Sequence, residues 1–357
     1  MTSENAPSPG EREQIGVALL SFAHGHQRAW GRVFASRPET RVAAVWDDDI
    51  ERGRRAAAEL NTEFVADLDV LLARGDVHAV AICAENAKHA DLAVKAAEAG
   101  KHIMVQKPMA VSLAEADRIV AAVEAAGVKY MQAHNLIFDD VHQAVKREVA
   151  SGRLGKISVV RRRHSHHFAI FEKDRTNVLG WMTDPDLAGG GALMDEGAHA
   201  LLWFLWMFGP PESVSARVST TIPGLRVEDH VVAVFGYADG MTGVLQTSWT
   251  EVAAESTIEI YGERGSIIAT GTDIASTRFM PEGTRPVLIF DVERGAWERP
   301  EIEIEKHRPV PPPNAFVDYL VGEGPSPVDV RTARLAVGLA EAIYESARTG
   351  KTVPFAG

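Results

Sequence analysis

Cysteine is almost absent: of 357 residues only Cys83 is one. That excludes an intrachain disulfide and a cysteine-rich metal site. Cys83 lies in the apolar run Val80-Ala81-Ile82-Cys83, where a thiol serves as inert core. Long hydrophobic runs are missing too. The longest, Ala200 to Phe208, falls well short of the roughly 20 residues a membrane-spanning helix needs. The segment up to about Gln14 is polar, carries Pro7, Pro9 and Gly10, and has no apolar signal-peptide core. A disordered tail is therefore expected over residues 1–14. Positive charge is also scarce: 37 Lys and Arg stand against 49 Asp and Glu, a net charge of −12. This balance argues against nucleic acid or anionic membrane as a partner. The composition is that of a soluble cytoplasmic enzyme, long enough for two domains with separate cores.

Against these absences stands one dense stretch. Residues 189–199 read Gly-Gly-Gly-Ala-Leu-Met-Asp-Glu-Gly-Ala-His, ahead of the apolar run. On a helix, Asp195 and His199 share one face, one turn apart. A histidine beside a carboxylate is a proton-transfer unit near neutral pH. The plainer alternative is a helix N-terminus whose aspartate answers the helix dipole. A second stretch, residues 98–109, runs Glu-Ala-Gly-Lys-His-Ile-Met-Val-Gln-Lys-Pro-Met: a helix end, a strand, then Gln106-Lys107-Pro108.

Together the two stretches resemble the Gfo/Idh/MocA family, named for glucose-fructose oxidoreductase, inositol dehydrogenase and a rhizopine-catabolism protein. That family carries Glu-Lys-Pro after the corresponding strand and Asp-x-Gly-x-His after a glycine run. Lys107 and Pro108 match the first motif; Asp195, Gly197 and His199 match the second. The resemblance extends from about Ile15 to the end, including a last helix around Ala340 to Lys351. Each motif alone is weak; two in order, with a matching tail, are specific.

The first part of the chain alternates strand and helix patterns. Strands are expected at Ile15–Leu20, Arg41–Trp46, His78–Cys83 and His102–Val105, with helices around Gln27–Ser36, Glu51–Leu60, His89–Ala99 and Ser112–Ala126. The last opens on a capping-box sequence, Ser112-x-x-Glu115, and closes at Gly127. Such units imply a doubly wound parallel sheet, Rossmann-like, with its ligand site at the strand carboxyl ends. After a helix over Val141–Ser151, strands follow at Lys156–Arg163, Ser213–Thr220, Glu228–Tyr237, Gly243–Trp249, Ser256–Tyr261 and Ser266–Thr270. Asp239-Gly240 between two of them is a hairpin signal. The fold class expected is α/β: a dinucleotide-binding domain over 15–134, then an α+β domain over 135–357 with a largely antiparallel sheet. The resemblance implies that this second domain binds substrate and carries the contacts of a homodimer or homotetramer.

The dinucleotide loop departs from the family. A Gly-x-Gly-x-x-Gly should fall on residues 21, 23 and 26, which here are Ser21, Ala23 and His26, with Gly25 one place early. The glycines normally allow a tight turn and close approach to pyrophosphate. Ser21 and Ala23 are the next smallest choices, and the following helix N-terminus can still hold an anion, with His24 and His26 as added donors. The loop from Ser21 through Phe22 to His26 does not identify a nucleotide site by itself; the resemblance implies one. Asp47, Asp48 and Asp49 end the second strand. An acidic group there accepts bonds from the ribose and repels a 2′-phosphate, which favours NAD over NADP. Arg52, Arg54 and Arg55 follow, and one of them folding back would reopen NADP. Asn86 and His89 match a family triplet-plus-histidine, which would place His89 near the nicotinamide half. Gln106 stands where the family has Glu.

Arg161-Arg-Arg-His-Ser-His-His167 closes the strand that begins near Lys156. His164 and His166 share a face. The pair has metal-ligand spacing, but no third ligand is fixed, and the reading here is pocket lining, with Arg163, and no metal. The resemblance gives Lys107, Asp195 and His199 the catalytic roles: hydride passes between a nicotinamide cofactor and a secondary alcohol of a sugar, inositol or related polyol or glycoside. Three alternatives stay open: an internal redox cycle that cleaves or epimerises a glycoside with the same proton-transfer residues, a metal-dependent lyase or isomerase resting on His164 and His166, and a sensor of NAD or sugar without turnover, against which the retention of Lys107, Asp195 and His199 weighs.

Overall fold

The structure is a computed structural model that describes residues 14–171, 173, 175–252, 257–270, 287–300, 312–322 and 324–356. The tail expected over residues 1–14 lies almost wholly outside this set, as does Ser256.

Residues Ile15–Leu20 (β1), Thr40–Trp46 (β2), Ala79–Ile82 (β3), His102–Val105 (β4) and Tyr130–Gln132 (β5) form a five-stranded sheet in the order β2-β1-β3-β4-β5. All its pairings are parallel. Side chains alternate across it, as the two-residue period demands. Val17, Leu19, Val45, Ala81 and Met104 pack with Trp30 and Phe34 of His26–Ser36 (α1) and with Ala56 of Ile50–Glu59 (α2). Ala18, Leu20, Val80, Ile82 and Ile103 face the opposite core, with Ala93 of His89–Glu98 (α4) and Ile119 of Leu113–Ala126 (α5). A short helix, Leu68–Leu72 (α3), adds Leu71 and Leu72 to that second core. Strands buried on both faces are apolar throughout, which is why they read as continuous runs. The Ser112 hydroxyl accepts from Glu115 N at 3.3 Å, but Glu115 reaches back to Val111 N at 3.2 Å.

The second sheet has nine strands. Ile157–Arg163 (β6), Ser213–Ser219 (β7), His230–Gly236 (β8), Thr242–Ser248 (β9), Thr257–Gly262 (β10), Gly265–Thr270 (β11), Val287–Asp291 (β12), Ala296–Glu298 (β13) and Val353–Pro354 (β14) run in the order β13-β12-β11-β10-β6-β9-β8-β7-β14. Only β6 with β9 is parallel. One face packs on Asp140–Ala150 (α6) and Ala198–Phe208 (α7), with Trp203 and Phe204 at the centre. A helix apolar on all sides belongs in an interior. Pro312–Val321 (α8) and Val330–Thr349 (α9) return to the first unit: Phe316 packs edge-on to Phe34, and Val330, Ala333 and Val337 join the core beneath α4 and α5. No described helix is long and apolar enough to cross a membrane.

Candidate active site

The crevice lies at the carboxyl ends of β1 and β3, where strand order reverses and the two units meet. His24 N donates to Cys83 O at 3.0 Å, tying the loop after β1 to the end of β3. Ser21 has φ +66°. The turn thus imposes the left-handed conformation that glycine adopts freely, on a residue with a side chain. Its hydroxyl accepts from Ala23 N at 3.3 Å. Gly25 caps α1 in open space, and no acidic residue occupies the helix's first turn. The helix's own first turn thus sets no side-chain anion against a pyrophosphate at that end.

Asp47 does not present an idle carboxylate to the crevice, contrary to the simple expectation. Its side chain is fully buried. It accepts from Phe22 N at 2.8 Å and from Asp49 N at 3.0 Å. Arg52 does fold back, and grips both Asp47 oxygens at 2.7 and 2.8 Å. Arg54 instead turns to Glu51. Lys88 bridges Asp48 and Glu85 beside this pair.

Lys107 follows β4, held by the Gln106 carbonyl, which accepts from Lys107 N at 2.9 Å. The Gln106 amide nitrogen faces His26 and His24, whose rings lie 4.4 Å apart. His89 is corrected from cofactor contact to support. It is fully buried, with Nδ1 2.8 Å from Pro108 O and Nε2 3.1 Å from Ala84 O. It braces the turn behind Lys107. Asn86 reaches across the units, its amide donating to Ala188 O at 2.9 Å.

The Lys107 ammonium donates to Asp195 Oδ1 at 2.6 Å and to Asp195 O at 3.1 Å. Asp195 sits in a π turn, Leu193–Gly197, that runs into α7. Such turns are rare and concentrate at functional sites. The other oxygen, Oδ2, accepts from Trp249 Nε1 at 2.9 Å and from His166 Nε2 at 3.2 Å. Lys107 and His166 together hold the Asp195 carboxyl well below its ordinary range against the effect of burial. Asp195 is thus not hydrogen-bonded to the His199 ring, as a regular helix with the same spacing suggested. His199 is buried, stacks on His134 at 5.7 Å and meets His164 edge-on at 5.6 Å. Burial, then Lys107, holds its pKa well below 6.5, so the imidazole is neutral. Its Nδ1 has no hydrogen-bond partner among the described residues.

The two-residue period sorts the His164 cluster. Val160, Arg162, His164 and His166 turn inward and are buried, while Arg163 lies on the other side, 3.9 Å from Glu251. Arg163 is therefore corrected: Arg162 is the arginine on the histidines' face. It donates to His164 Nδ1 at 3.2 Å and lies over the Trp203 ring. His164 Nε2 donates to Glu196 at 3.0 Å. His166, Asp195 and Glu196 offer ligand atoms within 4.8 Å of one another. His166 Nε2 is already a donor to Asp195, its Nδ1 accepts from Phe168 N, and Lys107 supplies a cation at the same carboxylate. A metal there would displace that whole arrangement.

From the second unit, Trp181 Nε1 donates to Ala23 O at 3.1 Å, closing the cleft over the nucleotide loop. His24, Asn86, Lys107, Trp181, Gly191 and Asp195 line the pocket beneath. A buried ammonium paired with a carboxylate thus stands at the carboxyl edge of a dinucleotide-type sheet, with a buried imidazole on the helix that follows.

Residues 15–134 match the oxidoreductase family with an NAD-binding Rossmann fold, and residues 142–268 match the Gfo/Idh/MocA C-terminal domain. The chain belongs to the Gfo/Idh/MocA family. It is 29% identical to 1,5-anhydro-D-fructose reductase of Ensifer adhaerens over 64% of this chain and 67% of that one. Levoglucosan dehydrogenase of Pseudarthrobacter phenanthrenivorans is 27% identical over 71% and 72%. Among solved structures, a levoglucosan dehydrogenase in complex with NADH and levoglucosan superposes with a TM-score of 0.82, over 96% of this chain and 99% of that one, at 21% identity. At that identity the likeness shows the fold. Trp249, Arg162, Glu196, His134 and Trp181 were not among the residues singled out from the sequence. Of these, Glu196 and Arg162 stand beside motif residues, and the two-residue period was the available signal for Arg162.

Proposed function

We propose that the protein oxidises a secondary alcohol of a sugar, inositol or related polyol or glycoside to the ketone, or reduces that ketone to the alcohol, with NAD as hydride partner. The observation that carries this reading is the Lys107–Asp195 pair lining one cleft beside the α1 N-terminus, with a buried His199 near enough to feel the Lys107 charge. The Gly25 end of α1 fits the diphosphate of a dinucleotide, and the partly exposed Asp48 and Arg52, rather than buried Asp47, stand at the end of β2 where its adenosine ribose would lie. When bound, NAD supplies the hydride chemistry. The chain's own residues manage the proton. Lys107 has three ammonium donors and spends two on Asp195, leaving one for the substrate oxygen. His199, neutral and buried, takes the hydroxyl proton as the alkoxide develops. Asp195 holds Lys107 in place, and His166 and Trp249 hold Asp195. Arg52 folds back, which keeps NADP open, but its guanidinium is committed to both Asp47 oxygens. The carboxylates Asp47, Asp48 and Glu85 outnumber Arg52 and Lys88 at the ends of β2 and β3; on that balance NAD is favoured. The open face of the nine-stranded sheet, where Val234 is exposed, is where a second copy of the chain packs. NADH absorbance with a panel of polyols and glycosides, beside product analysis and metal content, tests the reading. Net NADH formation supports it. Product without net NADH points to an internal redox cycle, and neither one points to a sensor.

A further inference from the structure

Asp195 and His199 hang on a short turn, and that turn needs an anchor of its own. Glu228 lies 37 residues beyond Gly191, just ahead of β8, and its side chain is buried. Its Oε2 accepts from Gly191 N at 2.9 Å, and its Oε1 accepts from Leu193 N at 3.0 Å. Its backbone carbonyl accepts from Ala192 N at 2.9 Å. Three successive amides at the entrance of the π turn therefore end on one residue. Amides at a helix start have no partner within the helix and must find one elsewhere.

A second tie comes from the far end of the chain. The Tyr344 hydroxyl, on α9, donates to Glu228 Oε1 at 2.9 Å. Three donors on one carboxylate suit its ionised, acceptor-only form. The glycine run is shaped to admit this pair. A Cβ on Gly190 would stand 2.1 Å from the Tyr344 oxygen, and one on Gly191 would stand 1.9 Å from Glu228 O. The next residue completes the frame: Asp229 O accepts from Trp249 N at 2.8 Å, and Trp249 in turn holds Asp195.

We infer that Glu228, tied to Tyr344, is a positioning residue that fixes the turn bearing Asp195 and His199 and so sets the rate of the chemical step. Neither residue lines the pocket that holds Lys107 and Asp195. The inference rests on the catalytic reading above for its rate effect, but not for its structural content. In Glu228→Gln the side chain keeps its size, yet one of its two acceptors becomes a donor facing an N–H. Tyr344→Phe removes only the hydroxyl.

The test uses both variants and their double in the full chain. A misplacement of reacting groups by about 1 Å can cost about a hundredfold in rate. Glu228→Gln should lower kcat by about ten- to a hundredfold with KM for NAD within about twofold. Tyr344→Phe should act in the same direction and less, and the double variant should fall short of the product of the two effects. Amide exchange at residues 191–193 should quicken in both, and the His199 ring resonances should shift. A folded Glu228→Gln with unchanged kcat, or with residues 191–193 as protected as in the wild type, overturns the inference. So does a lowered Tm with kcat per folded molecule intact. Exchange and ring resonances are read without substrate, so they decide the anchor even if no polyol is turned over. That last result would overturn only the functional reading.

Discussion

Lys107 and Asp195, 88 residues apart, form one buried ion pair across the two units, with Nζ 2.6 Å from Oδ1. Each is nearly removed from water, at 4% and 12% side-chain exposure. A buried charge left without its partner is strongly unfavourable, so the pair also fixes how the units meet. The Lys-Pro and Asp-x-Gly-x-His motifs are two halves of a single device.

Lys107→Ala and His199→Ala should each lower turnover by about 10²–10⁴-fold, the usual worth of a placed proton-transfer group. NAD should still bind, because the loop from Ser21 to His26 and the Asp47–Arg52 pair are untouched. Steady-state kinetics with a separate fluorescence titration of NAD checks this. Near-wild-type turnover in either variant removes that residue from the mechanism.

The cofactor prediction turns on Arg52, whose guanidinium is committed to Asp47 on both oxygens. The wild type should prefer NAD. Asp47→Ala deletes one carboxylate and releases a guanidinium, the natural partner of a phosphate. The NADP-to-NAD ratio of kcat/KM should then rise by about tenfold or more. A wild type that already prefers NADP, or a ratio unmoved by the substitution, would show that this cluster does not select the cofactor.

The fold was legible where local pattern and burial agree. The parallel strands are covered on both faces, and their apolar runs between Ala-rich helices announce it. The helix Pro312–Val321 was not: it opens on Pro312 and Pro313, which suit a helix's first turn but carry no helix pattern of their own. Strands β12 to β14 are short and pair at the ends of the sheet, with little pattern to find. At the site, Lys107, Asp195 and His199 stood out through their motifs. Their partners did not. Trp249 meets Asp195 across 54 residues and Glu228 meets Leu193 across 35, and no spacing rule reaches so far. Ser21 is the instructive case. The missing glycine suggested a hindered loop, yet the backbone keeps glycine's φ at that position and carries the serine there.

Metal should be dispensable. His166, Asp195 and Glu196 come close enough to suggest a site, but the Lys107 ammonium already neutralises Asp195, and both His166 nitrogens are engaged. A divalent ion would face that ammonium across a few ångströms in a medium that screens poorly. The purified protein should hold no stoichiometric transition metal, and EDTA should leave turnover intact. Activity lost to EDTA and restored by one added metal would make the histidine cluster a metal site instead.

The pH profile should carry the signature of His199. Burial first, then the Lys107 charge, then His164 and His134, depress its pKa well below 6.5. A base must be unprotonated to act, so kcat/KM falls as pH drops through that pKa. Lowering the pKa therefore moves the acidic limb down and keeps the enzyme active into mild acid. The limb assigned to His199 should lie below pH 6.5, and an NMR titration of its ring should give the same midpoint. Lys107→Met removes the charge that acts most on the ring, so the ring's midpoint should move upward in that variant, read by NMR because turnover is low. Burial remains the larger cause, so the midpoint should not exceed the ordinary histidine value. A wild-type ring that titrates at or above about 6.5 would show that burial and Lys107 do not depress it, and one that titrates well above about 7 would mean that His199 is charged at neutral pH and is not the base.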